Sequence, residues 1–496
     1  MNFLGIDIGS SSIKAALVNG DTLQPIGYAK SPEQEMDMIA HQAAGWAEQD
    51  PESWWTNMVI ACQSLKSQFP AEYARVGTVG ISYQMHGLVL TDMKLTPLRP
   101  AIIWCDSRAV SIGEKAFHEL GNENCLSHFL NSPGNFTASK LRWVQENEPS
   151  LYFQAHYALL PGDYIAARLT GEVHTTISGL SEGILWDFIN NRPANSLFTY
   201  FDFNEDLFPK AVESFGHQGS VLDPVAAELG LPTGVKLGYR AGDQPNNAFA
   251  LGVMDPGQVG ADAGTSGVIY GINDKLTYDP LSRVNSFAHI NHSADQTRIG
   301  VLACLNGTGI FYSWVRKLLA SGSGVIPDYA VLNDMAATIH PGSDHLKAYP
   351  FGNGAERLLL NQNPGGSFSG LNFNIHTPAH MVRATLEGIV FAMNYGMEIM
   401  GEMGMAPRSV RAAESNLFLS PIFRQVFADV TGAELQLVQT NGSLGAAIGG
   451  AIGQEKINMA DWLSNLSSQY SVTPDQKRSQ WYGDLYQNWK ARIDLR

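Results

Sequence analysis

Two short stretches of the chain repeat one order of apolar, glycine and polar positions. Gly5–Ile13 and Gly260–Val268 both follow the pattern G-x-D-x-G-[ST]-S-x-[IV], and they lie half a chain apart. In each copy an apolar strand runs into a turn of glycine and hydroxyl residues, and a second apolar strand, Ile13–Val18 or Val268–Ile272, follows it. The pattern therefore predicts two β-hairpins with small polar tips. A repeat at this spacing indicates two related lobes.

The remaining periodicity alternates between strands and amphipathic helices. We predict strands at Val76–Ile81 and Leu88–Thr91, and helices at Pro51–Gln68, Thr137–Glu146, Ala379–Met400 and Ser420–Thr431. Because strands and helices alternate along the chain, this pattern favours the α/β class.

A chain of 496 residues is too long for one hydrophobic core and suits two domains. We place the domains at residues 1–239 and 240–496. The division precedes Arg240–Asp243, which we interpret as a turn that begins the second run of strands. Two domains imply a cleft between them, and ligands usually bind in such clefts.

The composition is that of a globular enzyme, since 44% of the residues are hydrophobic and 16% are charged. A formal net charge of −15, without any run of Lys or Arg, argues against nucleic acid as a partner. Asp7 interrupts the apolar N-terminus, and no other stretch is apolar for long enough to span a bilayer. We therefore predict neither a secreted nor a membrane-embedded protein.

The four cysteines, Cys62, Cys105, Cys125 and Cys304, stand apart from one another. Their spacing fits neither a CxxC metal site nor a dense disulfide framework. We therefore expect reduced thiols in the core, and reduced thiols indicate the cytoplasm.

The two common nucleotide-binding motifs are missing from the sequence. GxxxxGK[ST] does not occur, and no GxGxxG follows a predicted strand. The repeated hairpin tips offer another way to bind phosphate, because glycine lets the backbone approach closely and the hydroxyl groups can donate hydrogen bonds. Two such tips facing each other across a cleft could hold the two ends of a triphosphate.

The duplicated hairpin resembles the phosphate loops of the actin, hexokinase and heat-shock chaperone superfamily. Within it, a series of segments from Leu4 to about Gly450 resembles the FGGY family of carbohydrate kinases. These segments are Gly80–Gly87, Ala101–Arg108, Thr137–Trp143, Gly162–Tyr164, Arg168–Gly171, Ala241–Asn247 and Ala263–Gly267. The resemblance implies a two-lobed actin/hexokinase-like ATPase fold of duplicated ribonuclease H-like domains with a central cleft. It also implies phosphorylation of a carbohydrate by ATP.

The resemblance implies a catalytic role for one residue and a sugar-binding role for several others. Asp243 corresponds to the family's catalytic aspartate, which accepts the proton of the attacking hydroxyl. Its alternative role is a helix N-cap ahead of Ala248–Leu251. The string Gln84-Met85-His86 is most similar to the branch of the family that acts on D-xylulose. The implied sugar-binding residues are Gln84, Met85, His86, Asp243 and Gln244.

The family's ATP site maps onto the two hairpin tips and two later loops. The implied ATP-binding residues are Gly9, Ser10, Ser11, Gly264, Thr265, Ser266, Asn306, Gly307 and Asn416. The resemblance places Asp7 beside Mg²⁺, through water, because Mg²⁺ keeps much of its hydration shell. The alternative for Asp7 is a hairpin aspartate that accepts nearby backbone N–H groups, and we give its repeat mate Asp262 that role.

One segment departs from the family pattern. Ala412, Ala413 and Glu414 stand where the family has consecutive glycines. We expect their side chains to crowd a bound nucleotide and the Glu414 carboxylate to repel its phosphates, so ATP affinity should be reduced.

Two other functions stay open. The first is a kinase for another ketose or polyol, such as ribulose or fuculose, because discrimination between sugars depends on a few hydrogen bonds in the pocket. Glycerol kinases lack the Met85-His86 pair. The second is a non-catalytic sugar sensor of the same fold. The expected partner is a small ketose, and the oligomeric state is open, with a homodimer as one option.

Overall fold

The computed structural model describes residues 1–39, 45–320, 324–466 and 470–493. Its N-terminal sheet has five strands, β1 (Asn2–Ile8), β2 (Ile13–Asn19), β3 (Pro25–Ser31), β4 (Val76–Tyr83) and β5 (Lys236–Gly242). They lie in the order β5-β4-β1-β2-β3. β1 pairs antiparallel with β2 and parallel with β4. The first predicted hairpin therefore forms the centre of this sheet.

The C-terminal sheet contains seven strands. They are β6 (Val259–Ala263), β7 (Gly267–Asn273), β8 (Asn285–Ala288), β9 (Ile299–Leu305), β10 (Ser409–Ala413), β11 (Glu434–Val438) and β12 (Tyr470–Val472). Their order is β8-β9-β7-β6-β10-β11-β12. Parallel strands β10 and β11 extend the β6–β7 hairpin just as β4 and β5 extend the β1–β2 hairpin. This repeated topology confirms the predicted α/β fold with two related lobes.

Helices connect the strands and pack on both sheets. The helices used below are α1 (Pro51–Gln68), α2 (Thr137–Asn147), α3 (Ile177–Glu182), α4 (Asp243–Ala250), α5 (Gly309–Ala320), α6 (Pro378–Glu402), α7 (Pro421–Thr431), α8 (Gly442–Gly453) and α9 (Gln476–Lys490). Further helices are Pro70–Tyr73, Val110–Leu120, Asn122–Phe129, Pro149–Gln154, Pro161–Thr170, Asn195–Phe201, Asp223–Leu229, Tyr329–Ala337 and Met459–Asn465.

Short elements complete the described part of the chain. Two-stranded pairs join Glu48–Gln49 to Ala101–Ile102, Val89–Thr91 to Tyr157–Leu159, His174–Thr176 to Lys210–Val212, Trp186–Asp187 to Arg192–Pro193, and Lys347–Tyr349 to Ser367–Ser369. The 3₁₀ turns are Glu205–Leu207, Ser343–His345, Glu356–Leu359 and Asn416–Leu419. The predicted helix Pro51–Gln68 is found residue for residue, and the other predicted elements shift by at most two residues at an end.

The buried core joins the two halves of the chain on one side. A single cluster of buried side chains includes Phe129 and Phe198 from the N-terminal half and Phe287 and Phe391 from the C-terminal half. A hydrogen bond reinforces it, since the backbone amide of Ala288 in β8 donates to the Ser181 side-chain hydroxyl in α3 at 2.9 Å. β8 of the second lobe therefore lies directly against the first lobe.

Helix α8 packs against the N-terminal sheet at a distance that only glycine permits. A Cβ added to Gly5 would lie 1.8 Å from the Ser443 carbonyl oxygen, and one added to Gly80 would lie 1.9 Å from that of Ala446. No side chain fits at such distances. The helix therefore consists mostly of small residues and packs directly on the backbone of the sheet.

The segment Arg240–Asp243 differs from its prediction. Arg240, Ala241 and Gly242 pair with β4 as the end of β5, and Asp243 is the first residue of α4. The predicted turn that begins a second run of strands is therefore wrong, because these residues complete the first sheet. The division into domains at residue 239 stays a prediction.

The cysteine prediction holds for two of four thiols. Cys62 and Cys125 are buried and Cys304 is partly buried, but Cys105 is exposed, and no disulfide joins any of the four. Cys105 follows a strand end at the surface, so it is not the core thiol that we expected. Within the described ranges, the helices are all too short or too polar to cross a membrane.

Candidate active site

Asp7 and Asp243 lie at the carboxyl ends of two parallel strands on either side of β4. Asp7 is near the end of β1, and Asp243 follows β5, with β4 between the two strands. The Ser82 hydroxyl on β4 donates to Asp7 Oδ1 at 3.0 Å. Burial, followed by the charge on Asp7, raises the pKa of Asp243 to about 7. Both carboxyl groups remain partly exposed, so they line an open surface.

Asp243 does not act as the helix cap that we considered as its alternative role. The N-cap position of α4 is Gly242, and no side chain caps the helix. The helix begins at Asp243 itself because β5 runs into it without an intervening loop. The carboxylate accepts a hydrogen bond from the Gln244 side chain, and the residue is partly exposed.

Lys14 is a cation among three carboxylates, and the sequence analysis missed it. Its ammonium lies 3.9 Å from Asp7 Oδ2, and its charge favours the ionised forms of Asp243 and Asp262 by lowering the pKa of each carboxyl. Lys14 is also an exposed residue in a mostly buried strand. The sequence does contain a signal for this cation. Lys14 is a lone lysine directly after the hairpin tip, in a strand that is otherwise apolar up to Val18.

The segment Gln84–His86 lies beside Asp243, as predicted for a sugar site. The backbone amide of Gln84 donates to the Ile8 carbonyl oxygen at 2.8 Å. The Gln84 side chain is buried, and its Oε1 lacks a hydrogen-bond partner. Met85 packs against Gly242, where an added Cβ would lie 2.6 Å from its Cγ. The segment therefore contacts the residue that precedes Asp243.

The His86 imidazole is held as a hydrogen-bond acceptor. Burial, followed by the charge of Lys140, lowers the pKa of His86 to about 3, so its ring is neutral. Nδ1 lies 3.0 Å from the carbonyl oxygen of Glu182 and donates to it. A neutral ring that donates from Nδ1 has Nε2 as an acceptor. The ring contacts both Phe136 and Phe287, at centroid distances of 4.7 and 5.2 Å.

The first hairpin tip is tied down by neighbouring side chains. Gln49 Nε2 donates to the Ser10 carbonyl oxygen at 2.7 Å, and Trp104 Nε1 donates to Ser10 Oγ at 3.3 Å. A Cβ added to Gly9 would lie 3.0 Å from the Ser12 carbonyl oxygen. Ser11 is exposed. The tip is therefore fixed from behind, with a hydroxyl facing outward.

The second tip is supported in the same way by the loop that contains Asn306 and Gly307. The Thr308 hydroxyl and the Gly309 amide both donate to the Gly264 carbonyl oxygen, at 2.9 and 2.8 Å. Gly307 passes so close to Pro350 that an added Cβ would lie 1.6 Å from its carbonyl oxygen. Thr265 is exposed and Ser266 is partly exposed. The predicted second loop therefore presents hydroxyl groups as the first one does.

Asn416 and Asp262 lie beside the second tip. Asn416 Nδ2 donates to Asp262 Oδ1 at 3.4 Å and lies 3.3 Å from the position of a Cβ added to Gly264. Asn416 itself has a φ of 53°, a region in which Asn is enriched. The structure thus brings together the second tip, the loop of Asn306 and Gly307, and Asn416.

The segment at Ala412 is less obstructive than predicted. The Ala412 side chain is fully buried in β10, so the expectation that it would crowd a nucleotide is wrong. Glu414 Oε1 accepts from Arg424 Nη2 at 3.3 Å, and this cation offsets its charge. Alternation of side chains along β10 directs Ala412 into the core, and Arg424 of α7 is the partner of Glu414.

The donor set fits a magnesium ion that arrives with a nucleotide. In the described part of the chain, no group of three or more His, Cys, Asp or Glu side chains could hold a metal on its own. Mg²⁺ commonly binds through one or two carboxylates together with substrate phosphates and water. A single partly exposed carboxylate at Asp7, between the strand ends and the first tip, meets that description.

Profiles of the FGGY family of carbohydrate kinases match the chain in two parts, the N-terminal domain at residues 2–250 and the C-terminal domain at residues 260–454. The xylulose kinase of Escherichia coli K12 is 30% identical over 96% of this chain and 95% of that protein. The crystal structure of xylulose kinase from Rhodospirillum rubrum has a TM-score of 0.88 at 26% identity, covering 100% of this chain and 99% of that one. A gluconate kinase from Lactobacillus acidophilus has the same fold, with a TM-score of 0.89 at 20% identity over 100% of this chain and 98% of that one.

Proposed function

Because the chain belongs to the FGGY family of carbohydrate kinases, we propose that it transfers the terminal phosphoryl group of ATP to a ketose, with D-xylulose as the preferred substrate and D-xylulose 5-phosphate as the product. The observation that carries the proposal is the pair of Asp7 and Asp243 at the ends of parallel strands, where burial and the charge on Asp7 raise the pKa of Asp243 and Met85 packs against Gly242. Ketose kinases need a base, anion-binding groups and sugar contacts in one cleft.

Asp243 serves as the general base in this proposal. Its carboxylate takes the proton of the ketose hydroxyl while that oxygen forms a bond to phosphorus and the bond between phosphorus and the ADP oxygen breaks. A base works best when its pKa lies near the working pH. Burial and the charge on Asp7 raise the pKa of Asp243 to about 7, which suits this role.

The phosphate-binding groups come from both lobes. Lys14, Ser11 and Thr265 offer charge or hydroxyl groups to the phosphates, and we assign the nucleotide to Gly9, Ser10, Ser11, Gly264, Thr265, Ser266, Asn306, Gly307 and Asn416. Asp7 would hold Mg²⁺ through water, and the cation would neutralise charge on the triphosphate. The sugar is assigned to Gln84, Met85, His86 and Gln244, with the acceptor Nε2 of His86 directed at a sugar hydroxyl.

The preferred sugar is tested with a panel. We expect D-xylulose to have the highest kcat/KM among D-xylulose, D-ribulose, fuculose, gluconate and glycerol, because Gln84-Met85-His86 is similar to the D-xylulose branch and the relatives named above share nearly the full length. The measurement is coupled ADP release with each sugar at fixed ATP. A higher kcat/KM for any other sugar would move the assignment to that sugar, since gluconate kinase shares the fold and fold alone does not set the substrate.

Ketose phosphorylation is expected to weaken in acid. Below a pKa of about 7 for Asp243, the carboxyl group is protonated and accepts no proton from the sugar. kcat/KM should therefore fall about tenfold per pH unit on the acid side and level off on the alkaline side. The profile is measured at fixed Mg²⁺, because a cation near Asp7 offsets the charge that raises this pKa. A flat profile through neutrality would contradict the role of Asp243.

The sensor alternative is weaker on physical grounds. A sensor needs sugar contacts but no proton acceptor, and a buried carboxyl group with a raised pKa disfavours folding when ionised. The absence of a disulfide among the four cysteines fits the reducing cytoplasm as the site of action. A homodimer stays a prediction.

A further inference from the structure

His86 has a backbone conformation that a residue with a side chain rarely adopts. Its φ is 60°, in the left-handed region where the Cβ crowds the following carbonyl group. Such a conformation persists only where the surroundings hold it, and it is common at binding sites. Two buried ionisable side chains, from helices α2 and α3, hold the backbone of this residue from opposite sides.

Lys140, on α2, holds the carbonyl side. Its side chain is fully buried, and Nζ donates to the carbonyl oxygens of His86 at 2.9 Å and Ile103 at 3.0 Å. Burial lowers the pKa of Lys140 to about 7, with Asp106 acting in the opposite direction. Both the charged and the neutral amine have the two N–H groups that these bonds need. A buried lysine is costly and rare, and an apolar side chain would satisfy packing alone.

Glu182, at the end of α3, holds the amide side. It is fully buried, and its Oε1 accepts from the His86 amide at 3.4 Å. Its own carbonyl oxygen accepts from the His86 ring at 3.0 Å. Oε2 lies against Gly242 at the end of β5, since a Cβ added to Gly242 would lie 2.6 Å from it. Burial raises the pKa of Glu182 well above its usual range.

We propose that Lys140 and Glu182 are positioning residues that clamp the His86 backbone by its carbonyl oxygen and its amide, so that the imidazole presents Nε2 to the ketose. The proposal rests on the proposed function in taking His86 as a sugar contact. Neither side chain lies on the nucleotide side, so loosening the clamp should affect the sugar and spare ATP.

The test compares Lys140→Met, His86→Asn and the double variant, using whichever sugar of the panel the wild type phosphorylates best. Lys140→Met should raise the ketose KM about 10- to 100-fold and leave the ATP KM within about threefold. Asn tolerates positive φ, so His86→Asn removes the ring and keeps the backbone. Adding Lys140→Met to His86→Asn should change the ketose KM by less than about threefold, because both act through one group.

Glu182 gives a second arm that does not depend on the folding of Lys140→Met. Glu182→Gln keeps a neutral acceptor for the His86 amide and should stay within about threefold of the wild-type ketose KM, whereas Glu182→Leu should raise it as Lys140→Met does. The matched control is Arg383→Met, which removes a buried cation bound to Glu387 and Tyr482 in the other lobe. It should lower the melting temperature without changing the ketose KM.

Three kinetic results would overturn the clamp: parallel changes in the ketose and ATP KM, full additivity with His86→Asn, or equal effects of Glu182→Gln and Glu182→Leu.

A structural readout separates the clamp from the proposed function. A crystal structure of Lys140→Met, or of Glu182→Leu, should show His86 outside the left-handed region, whatever sugar the enzyme accepts. An unchanged His86 backbone in these variants would also overturn the clamp, while a wild type inactive on every sugar would defeat only the proposed function.

Discussion

Asp243→Asn is expected to lower kcat for ketose phosphorylation by roughly 10²- to 10⁴-fold while leaving the fold and the ketose affinity intact. Asparagine preserves the size of the side chain and most of its hydrogen bonds, but its amide cannot take the hydroxyl proton. The measurements are kcat, the ketose dissociation constant and the melting temperature. A kcat within a few-fold of wild type in a folded variant would remove Asp243 as the base.

The same variant should not lose stability above neutral pH. The pKa of Asp243 is raised from its usual 3.8 to about 7 in the folded protein, so the folded state binds more protons than the unfolded state between these values. Stability therefore falls as pH rises through this range. Asn has no charge to bury, so the variant should melt at the same or a higher temperature at alkaline pH. A lower melting temperature would show that the carboxylate contributes to folding.

A matched carboxyl variant separates catalysis from a general effect of removing a buried acid. Asp262 occupies the equivalent hairpin position in the second lobe, and burial raises the pKa of its carboxyl group too. It lies beside Asn416 on the nucleotide side, away from the proposed sugar site. Asp262→Asn should keep kcat within a few-fold of wild type, with any change appearing in the ATP KM. A loss equal to that of Asp243→Asn would contradict the assignment of the two aspartates.

Gly450→Ala should destabilise the protein by about 3 kcal/mol. The added Cβ would lie 2.7 Å from the Val79 carbonyl oxygen and 2.8 Å from the Gly80 amide nitrogen. Both are backbone atoms of β4 in the N-terminal sheet, so helix α8 must move away from β4 to make room for the methyl group. The helix begins beside Asp7, the proposed Mg²⁺-binding residue, since a Cβ added to Gly442 would lie 3.1 Å from Asp7 Oδ2. We therefore expect activity to fall together with the melting temperature.

Gly483→Ala provides the matched control for this substitution. Gly483 is also inside a helix, α9, but no atom lies within 4 Å of its added Cβ. Alanine favours a helix over glycine by up to about 1 kcal/mol, so this variant should melt at the same temperature or higher and keep full activity. Similar losses of stability in the two variants would mean that close packing on β4 is not what demands glycine at position 450.

The repeat, the class of fold and most of the element boundaries could be predicted from sequence because they depend on neighbouring residues. Strand alternation, helical periodicity and turn residues act over a few positions, so α1 was predicted residue for residue. The motif resemblance likewise placed Asp7, Asp243 and Gln84–His86, and the structure brings these residues to one edge of the first sheet. The turn at Arg240–Asp243 failed because pairing with β4 completes a strand there.

The electrostatics and the fine geometry of the site were decided only by the tertiary structure. The raised pKa of Asp243 depends first on burial and then on the charge of Asp7, which lies at the other end of the first lobe's sequence. Lys14 and Asp7 face each other across a hairpin, Lys140 reaches the carbonyl group of His86, and Arg424 offsets the charge of Glu414. Burial and charge act through space, so the properties of these groups emerge only when strands, helices and loops distant in the chain are packed together.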